Sequence, residues 1–410
     1  MLYHAYEMTH AALSPMREVA RLNREALQSP INPMAESYGA RVSAAGLDMF
    51  IKATKRYVKP DFELACTVID GAEVQVDEEI ALRLPFCDLL HFKRQTGKKH
   101  PKLLIIAPLS GHYATLLRGT VKEMLPDHDV YITDWTDGRD VPLSAGDFDL
   151  DDYVDYLIKF CAKLGEDGER PAVLAVCQPG VPMLVAASLM AAEKAAYRPS
   201  SMTLMGSPID TAMNPQQPNK LATSKALSWF ERNVITRVPW PNKGCLRKVY
   251  PGFLQLSGFM SMNLDRHVDA HTDHFHNLVK GDGDSTEAHR KFYDEYMAVM
   301  DLSAAYYLQT IERVFQKRLL AIGAYFYRNT LVDPSKITDI ALMTVEGEKD
   351  DITGLGQTEA AHRLVNKLPE NMRQHYVQKG VGHYGVFNGS RWRGIIAPKV
   401  KAFIAQHLNG

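Results

Sequence analysis

Cys177 stands in the run AVLAVCQPGVPMLVAA, where a short buried-strand pattern gives way to an apolar helical one. A cysteine on such a strand-to-helix turn is presented at the carboxyl edge of a sheet, where the helix N-terminus lowers the thiol pKa and favours developing negative charge. The chemistry this suits is nucleophilic attack on an acyl carbon. The segment departs from the G-x-S-x-G elbow: Ala175 replaces the first glycine, Cys177 the serine and Pro179 the second glycine, with Gly180 one place late. Taken alone, it fits a buried structural cysteine as well as a catalytic one.

The order of residues downstream separates the two readings. α/β-Hydrolases place nucleophile, acid and histidine in that sequence after successive strands. Here the strand pattern IALMTV runs into Glu346-Gly347-Glu348-Lys349-Asp350-Asp351, and QHYVQ runs into Gly380-Val381-Gly382-His383-Tyr384-Gly385. Asp350, three residues after Gly347, is the preferred acid and Asp351 the alternative. Glycines on both sides let His383 reach over the sheet edge. The loop Leu109-Ser110-Gly111-His112-Tyr113 follows KLLIIAP, the strand that in this fold supplies one oxyanion-hole N–H. The expected hole is therefore the backbone N–H groups of Ser110 and Gln178, with Gly111 permitting close approach and His112 and Tyr113 placed to touch substrate.

These residues need a scaffold, and the rhythm of the chain supplies one. KLLIIAP, DVYITDW, PAVLAVC, SMTLMGSP, DIALMTVEGEKDD and RQHYVQK are short apolar runs separated by helical lengths, the pattern of parallel strands in a doubly wound α/β sheet. The fold class expected is thus an α/β-hydrolase, a mostly parallel sheet with flanking helices and an inserted cap. Residues 1–58 read as an N-terminal helical extension, 59–209 as the first part of the core, 210–333 as the cap, and 334–410 as the second part of the core. Between Phe62 and Lys93 the alternation predicts two or three strands that begin the sheet.

Bulk properties exclude several classes. The chain has 410 residues, a net charge of −1 and 23% charged residues, so nothing draws it globally to nucleic acid. The opening residues lack a secretory signal pattern, and the apolar run from Val181 to Ala192 is too short to span a bilayer. Five scattered cysteines suit a reducing compartment, so a cytoplasmic location is expected. In the segment from Arg266, His267, His271 and His274 could share one helix face but have no accompanying cysteine, and His274 and His276 point differently, so no metal is expected.

AVCQPGVP around Cys177, APLSGHYATLLRGTV, VYITDWTDGRDVP, TLMGSPIDT, FYDEYMAVMDLSAAYYLQTIERVFQ, EGEKDDITG and GVGHYGVFNG together resemble the intracellular polyhydroxyalkanoate depolymerases acting on poly(3-hydroxybutyrate). These are relatives of the polymer synthases, and the resemblance runs over nearly the whole chain. It implies cysteine attack on an ester of amorphous, granule-stored polymer, with Cys177, Asp350 and His383 as the triad and 3-hydroxybutyrate or its oligomers as product. It implies no resident cofactor, although coenzyme A is an alternative acyl acceptor, and it allows a homodimer. An apolar polymer calls for an apolar groove in the cap, for which Phe253, Leu254, Phe259, Met260 and Met262 are candidates. The rival readings are a synthase or acyltransferase using 3-hydroxyacyl-CoA, and a non-catalytic granule-binding protein. The synthases resemble G-x-C-x-G-G, where this chain has Pro179 and Gly180.

Overall fold

Strands that are apolar on both faces must be covered on both faces, and this requirement organises the molecule. A computed structural model describes residues 2–262 and 264–408, apart from the side chains of Met262, Arg266 and Ala288. Met262 and Arg266, singled out from the sequence, thus have side chains outside the described residues.

The strands of the main sheet are β1 (Cys66–Ile69), β2 (Ala72–Leu84), β3 (Cys87–Arg94), β4 (Lys102–Ile106), β5 (Asp129–Trp135), β6 (Ala172–Val176) and β7 (Ser201–Met205). Further along come β8 (Thr236–Arg237), β9 (Lys248–Tyr250) and β10 (Leu302–Ser303), which form a small separate sheet, then the hairpin β11 (Phe326–Tyr327) and β12 (Thr330–Leu331). β13 (Ala341–Gly347) and β14 (Arg373–Gln378) return to the main sheet. Its order is β1-β2-β3-β5-β4-β6-β7-β13-β14. The first three strands and the β3–β5 pair are antiparallel. From β5 to β14 all pairs are parallel. This is the α/β-hydrolase architecture expected from the sequence.

β6 and β7 are buried at every residue, as both-face cover demands. Helix α3 (Arg118–Met124) packs against the C-terminal helix Ala397–Gln406, and α4 (Leu150–Leu164) packs against α5 (Gly180–Ala192). α5 is apolar all round and almost wholly buried. β14 differs from expectation: it lies at the sheet edge and is mostly half-buried, so its apolar residues have a neighbouring strand on one side only.

The chain leaves β4 toward β5 on one side and then reaches β6 on the other side of β4. That reversal opens a crevice at the carboxyl ends of β4 and β6, where ligands bind in open α/β sheets. Above it, residues 210–333 hold α6 (Gln217–Ser224), α7 (Leu227–Asn233), α8 (Gly252–Met262), α9 (Leu264–Lys280), α10 (Gly283–Tyr296) and α11 (Ala304–Gln309). The N-terminal pair, α1 (Leu2–Gln28) and α2 (Tyr38–Thr54), packs on itself and, through α2, on α9.

The insertion is fastened to the core by buried polar contacts. Arg247 is 1% exposed and donates to three carbonyls of the loop after β5: Val141 O at 2.9 Å, Gly146 O at 2.8 Å and Pro142 O at 2.6 Å. Arg247→Met removes the donors and leaves those acceptors unpaired, so it is expected to cost about 3 kcal/mol of stability. Urea unfolding of the two chains checks this.

Candidate active site

Cys177 adopts φ +69°, the left-handed region that a residue with a Cβ enters at a cost of about 1–2 kcal/mol. Its neighbours hold it there. The Cys177 N–H donates to Met205 O at 2.7 Å, and its carbonyl accepts from Gly180 N at 3.1 Å as the chain turns from β6 into α5. Pro179 fits without strain, because its φ of −53° and ψ of −18° are those of an entering helix, where no N–H is needed. Gly180 is the position that cannot carry a side chain: an added Cβ would lie 2.2 Å from Ser207 Oγ. The glycine one place late in the elbow is thus explained by the approach of α5 to the loop after β7.

Asp350 is buried in the loop after β13, and its two oxygens are divided between two tasks. Oδ1 accepts from Ile352 N at 2.9 Å and Thr353 N at 2.8 Å, which fixes the carboxylate. Oδ2 accepts from His383 Nδ1 at 2.7 Å. Asp351, the alternative acid, is exposed. Glu346, near the end of β13, accepts from the backbone N–H groups of Gly356, Thr358 and Glu359 and shapes the loop that carries Asp350. Glu346, Glu359 and His375 bring possible ligand atoms together, but the oxygens of Glu346 are already engaged by these backbone donors.

Burial disfavours a charged His383 ring. The Asp350 carboxylate and negative charge on the Cys177 sulfur outweigh it, each also a hydrogen-bond partner, and hold the imidazole well above its ordinary pKa. The sign for stability follows. A raised folded pKa stabilises fully below the unfolded value near 6.5, and that contribution is lost as pH rises through the elevated folded value. The difference in unfolding free energy between the parent chain and His383→Gln is therefore expected to shrink as pH is raised above roughly 6.5, as chemical unfolding at several pH values will test.

Gly206, at the end of β7, was not singled out from the sequence. Its φ is +55°, and a Cβ there would sit 3.1 Å from His383 Cε1 and 3.4 Å from Asp350 Oδ2. The available signal was a glycine closing the strand TLMG, with nothing local to say that two distant loops converge on it. Gly206→Ala is expected to push the ring aside and lower turnover about 10–100-fold, since sub-ångström to ångström displacements of reacting groups cost that much. Steady-state kinetics on a soluble ester measures it.

The Ser110 and Gln178 backbone N–H groups flank the same crevice. Among the described residues neither donates to a protein acceptor. The loop that carries Ser110 is pinned from above. Tyr306 OH donates to Leu109 O at 3.0 Å, and Met300 N donates to Gly111 O at 2.7 Å. Gly111 has φ +113°, but the space beside it is filled by Gln255, whose Oε1 lies 2.5 Å from where a Cβ would be. Its freedom thus serves cap packing rather than approach to an oxyanion.

A cavity of about 400 Å³ opens over these groups, bounded by Cys177, Gln178, Ser110 and His383 below and by cap residues including Phe230, Tyr250, Phe259 and Ile311. His112 lines it. Burial pushes the His112 ring down to about 4, so it is neutral and donates from Nε2 to Tyr296 O at 3.1 Å. The other expected substrate contacts lie elsewhere. Tyr113 is buried with its hydroxyl donating to Asp137 Oδ2 at 3.2 Å. Phe253 stacks on Tyr6 of α1 with ring centroids 4.2 Å apart. Met260 faces away from the cavity on the opposite side of α8, while Phe259 faces in. Of the histidines after Arg266, His274 stacks on His289 at 3.9 Å and His267 Nδ1 pairs with Tyr293 OH at 2.9 Å.

Comparison with known proteins adds a sequence-level relation. Residues 206–408 match the family described as PHB de-polymerase C-terminus. The matched stretch begins at the glycine beside the imidazole and contains both Asp350 and His383; Cys177 precedes it. The match supports a hydrolase. No curated protein matches the chain. Among solved structures, a putative lipase from Acinetobacter baumannii AYE is 14% identical, with 81% of this chain and 93% of that one covered and a TM-score of 0.40. A thermophilic esterase from Thermogutta terrifontis is 15% identical over 86% of this chain and 100% of that one, TM-score 0.41. A 2-hydroxy-6-oxo-6-phenylhexa-2,4-dienoate hydrolase from Rhodococcus sp. strain RHA1 is 11% identical over 81% and 99%, TM-score 0.42.

Proposed function

We propose that this chain hydrolyses the ester bonds of amorphous poly(3-hydroxybutyrate), through a thioester on Cys177, to give 3-hydroxybutyrate or its oligomers. The observation that carries the reading is Cys177 in a left-handed turn at the end of β6, acting on a buried His383 that is itself held by Asp350. The PHB de-polymerase C-terminal match supports the choice of ester, and the apolar cavity suits a polymer whose repeat offers methyl and methylene groups and acceptor carbonyls.

In this reading His383 takes the Cys177 proton, or already holds it in a thiolate–imidazolium pair, and Asp350 fixes the ring with Nδ1–H toward the carboxylate and stabilises the imidazolium. The sulfur adds to the ester carbonyl, and the backbone N–H groups of Ser110 and Gln178 receive the oxyanion. Collapse breaks the C–O bond, and the leaving alkoxide takes the proton from His383. Water then gives its proton to His383 and adds to the thioester carbonyl. Expulsion of the sulfur regenerates Cys177 and releases the acid.

The described lining of the cavity contains no Lys or Arg to meet the phosphates of coenzyme A, which supports water over thiolysis. The granules of a cell interior are the proposed source of polymer. Among the described residues no helix is long and apolar enough to cross a membrane. The test is to incubate the chain with amorphous polymer particles, with and without coenzyme A, and to analyse the products. Free acid in equal amount under both conditions is expected. Release of a coenzyme A thioester, or polymer growth from 3-hydroxybutyryl-CoA, would sink the reading in favour of a transferase.

A further inference from the structure

The two N–H groups that receive the oxyanion are aimed in different ways. In a trans peptide the C=O and the N–H that follows it are antiparallel, so a hydrogen bond held at the carbonyl end fixes where the N–H points and polarises it as a donor. Both peptides concerned are trans. Gln178 N–H shares its peptide with Cys177 O, which accepts from Gly180 N at 3.1 Å within the turn from β6 into α5. That half of the hole is set by the elbow itself. Ser110 N–H shares its peptide with Leu109 O, and there the partner is distant in sequence: Tyr306 OH donates to Leu109 O at 3.0 Å, with both groups buried.

Tyr306 belongs to α11 of the insertion, yet core residues hold it in place. Its N–H donates to Phe148 O at 3.2 Å. Its ring centroid lies 5.7 Å from that of Tyr153 and 6.1 Å from that of Phe148. About one turn on, Gln309 Nε2 donates to Asp149 Oδ2 at 2.9 Å and Gln309 Oε1 accepts from Leu150 N at 3.2 Å, which joins α11 to the start of α4. Burial raises the Tyr306 hydroxyl well above the ordinary tyrosine range, so it stays a protonated donor. The same hydroxyl stands beside Cys177 and Gln178, at the junction of the two halves of the hole.

A buried tyrosine can also bond the nearest carbonyl merely to satisfy its hydroxyl. The adjoining ring argues against that reading here. Tyr153 is as deeply buried as Tyr306, and among the described residues its hydroxyl has no hydrogen-bond partner. Packing in this aromatic cluster therefore does not by itself bring a phenol oxygen to a carbonyl.

We infer that Tyr306 is a positioning residue for the reaction at Cys177: its hydroxyl, by holding Leu109 O, aims the Ser110 N–H at the oxyanion. One half of the hole is thus built by the core and the other by a residue of the insertion. The inference rests on the proposed acyl transfer to Cys177, and it assigns to Tyr306 a part in the transition state rather than in substrate binding.

Tyr306→Phe removes the oxygen and keeps the ring, and Tyr153→Phe makes the same change next door as a control. Two readouts are taken. One is kcat and KM on a soluble 3-hydroxybutyrate trimer. The other is the dissociation constant of butanal by calorimetry: the Cys177 sulfur bonds to the aldehyde carbon and the thiol proton passes to the aldehyde oxygen, which then occupies the hole as a tetrahedral centre. Tyr306→Phe is expected to lower kcat about 10–30-fold, with KM within about twofold, and to weaken butanal by a similar factor, somewhat less than outright loss of an oxyanion donor. Tyr153→Phe is expected to stay within about twofold on both readouts. 4-Aminophenylalanine introduced at Tyr306, which restores a donor on the same ring, is expected to bring kcat back to within about fivefold of the parent chain.

An unchanged kcat in Tyr306→Phe would overturn the inference. So would a fall in kcat with undiminished butanal affinity, no recovery on restoring the donor, or an equal loss in Tyr153→Phe, each of which would mark a structural role. If the parent chain binds butanal on Cys177 but fails to cleave the trimer, the proposed ester falls, and the butanal comparison still decides the role of Tyr306. A parent chain that takes up no butanal would overturn both.

Discussion

Replacing Cys177 by alanine is expected to lower ester cleavage by at least ~10⁴-fold while leaving the fold intact, because removing a nucleophile that acts as one unit with its base forfeits nearly all of their joint effect. The left-handed backbone makes the outcome diagnostic. Alanine tolerates φ +69° no worse than cysteine, so the elbow and its hydrogen bonds to Met205 and from Gly180 persist, and the loss is chemical rather than structural. Steady-state rates on a soluble 3-hydroxybutyrate oligomer, together with a thermal unfolding curve, separate the two.

Asp350→Asn is expected to cost about 10⁴-fold in kcat with the fold again retained. The reason is the division of labour between the two oxygens. An asparagine can keep its carbonyl on Ile352 N and Thr353 N, but it then offers an N–H to His383 Nδ1, which selects the wrong tautomer and leaves the imidazolium without its counter-charge. Asp351→Asn, one residue on and exposed, is expected to change kcat by less than about threefold, since exposed charges couple weakly. A large loss at Asp351 with little at Asp350 would reverse the assignment of the acid.

Much of the scaffold was legible because β4, β5, β6, β7 and β13 are continuous apolar runs, and a strand buried on both faces leaves that mark whatever surrounds it. Cys177, Asp350 and His383 stood out for a related reason: each follows the end of one strand, directly or in the loop just beyond it, so chain order already carries spatial order. What escaped was set by neighbours far away in sequence. Gly206 is required by His383 and Asp350, and Gly180 by Ser207, and no local pattern announces a missing Cβ. Pro179, an anomaly in the motif, is ordinary once α5 is seen to begin beside it.

The cap was read least well. GFLQLSGFMSM is apolar around much of α8, so its composition cannot say which face meets the cavity. Phe259 turned inward, Met260 outward, and Phe253 toward an N-terminal helix whose arrival no periodicity foretold. Tyr113 follows the oxyanion loop closely enough to suggest substrate contact, yet its hydroxyl is committed to Asp137 in the core.

The central claim is that Cys177 carries the acyl group, and the direct measurement is mass analysis of protein quenched in acid during turnover of a soluble 3-hydroxybutyrate oligomer. The account predicts a 3-hydroxyacyl adduct on the peptide containing Cys177, accumulating as far as deacylation is slow, labile to hydroxylamine as a thioester is, and absent from Cys177→Ala. An adduct on a different side chain, or undiminished cleavage by Cys177→Ala, would contradict it.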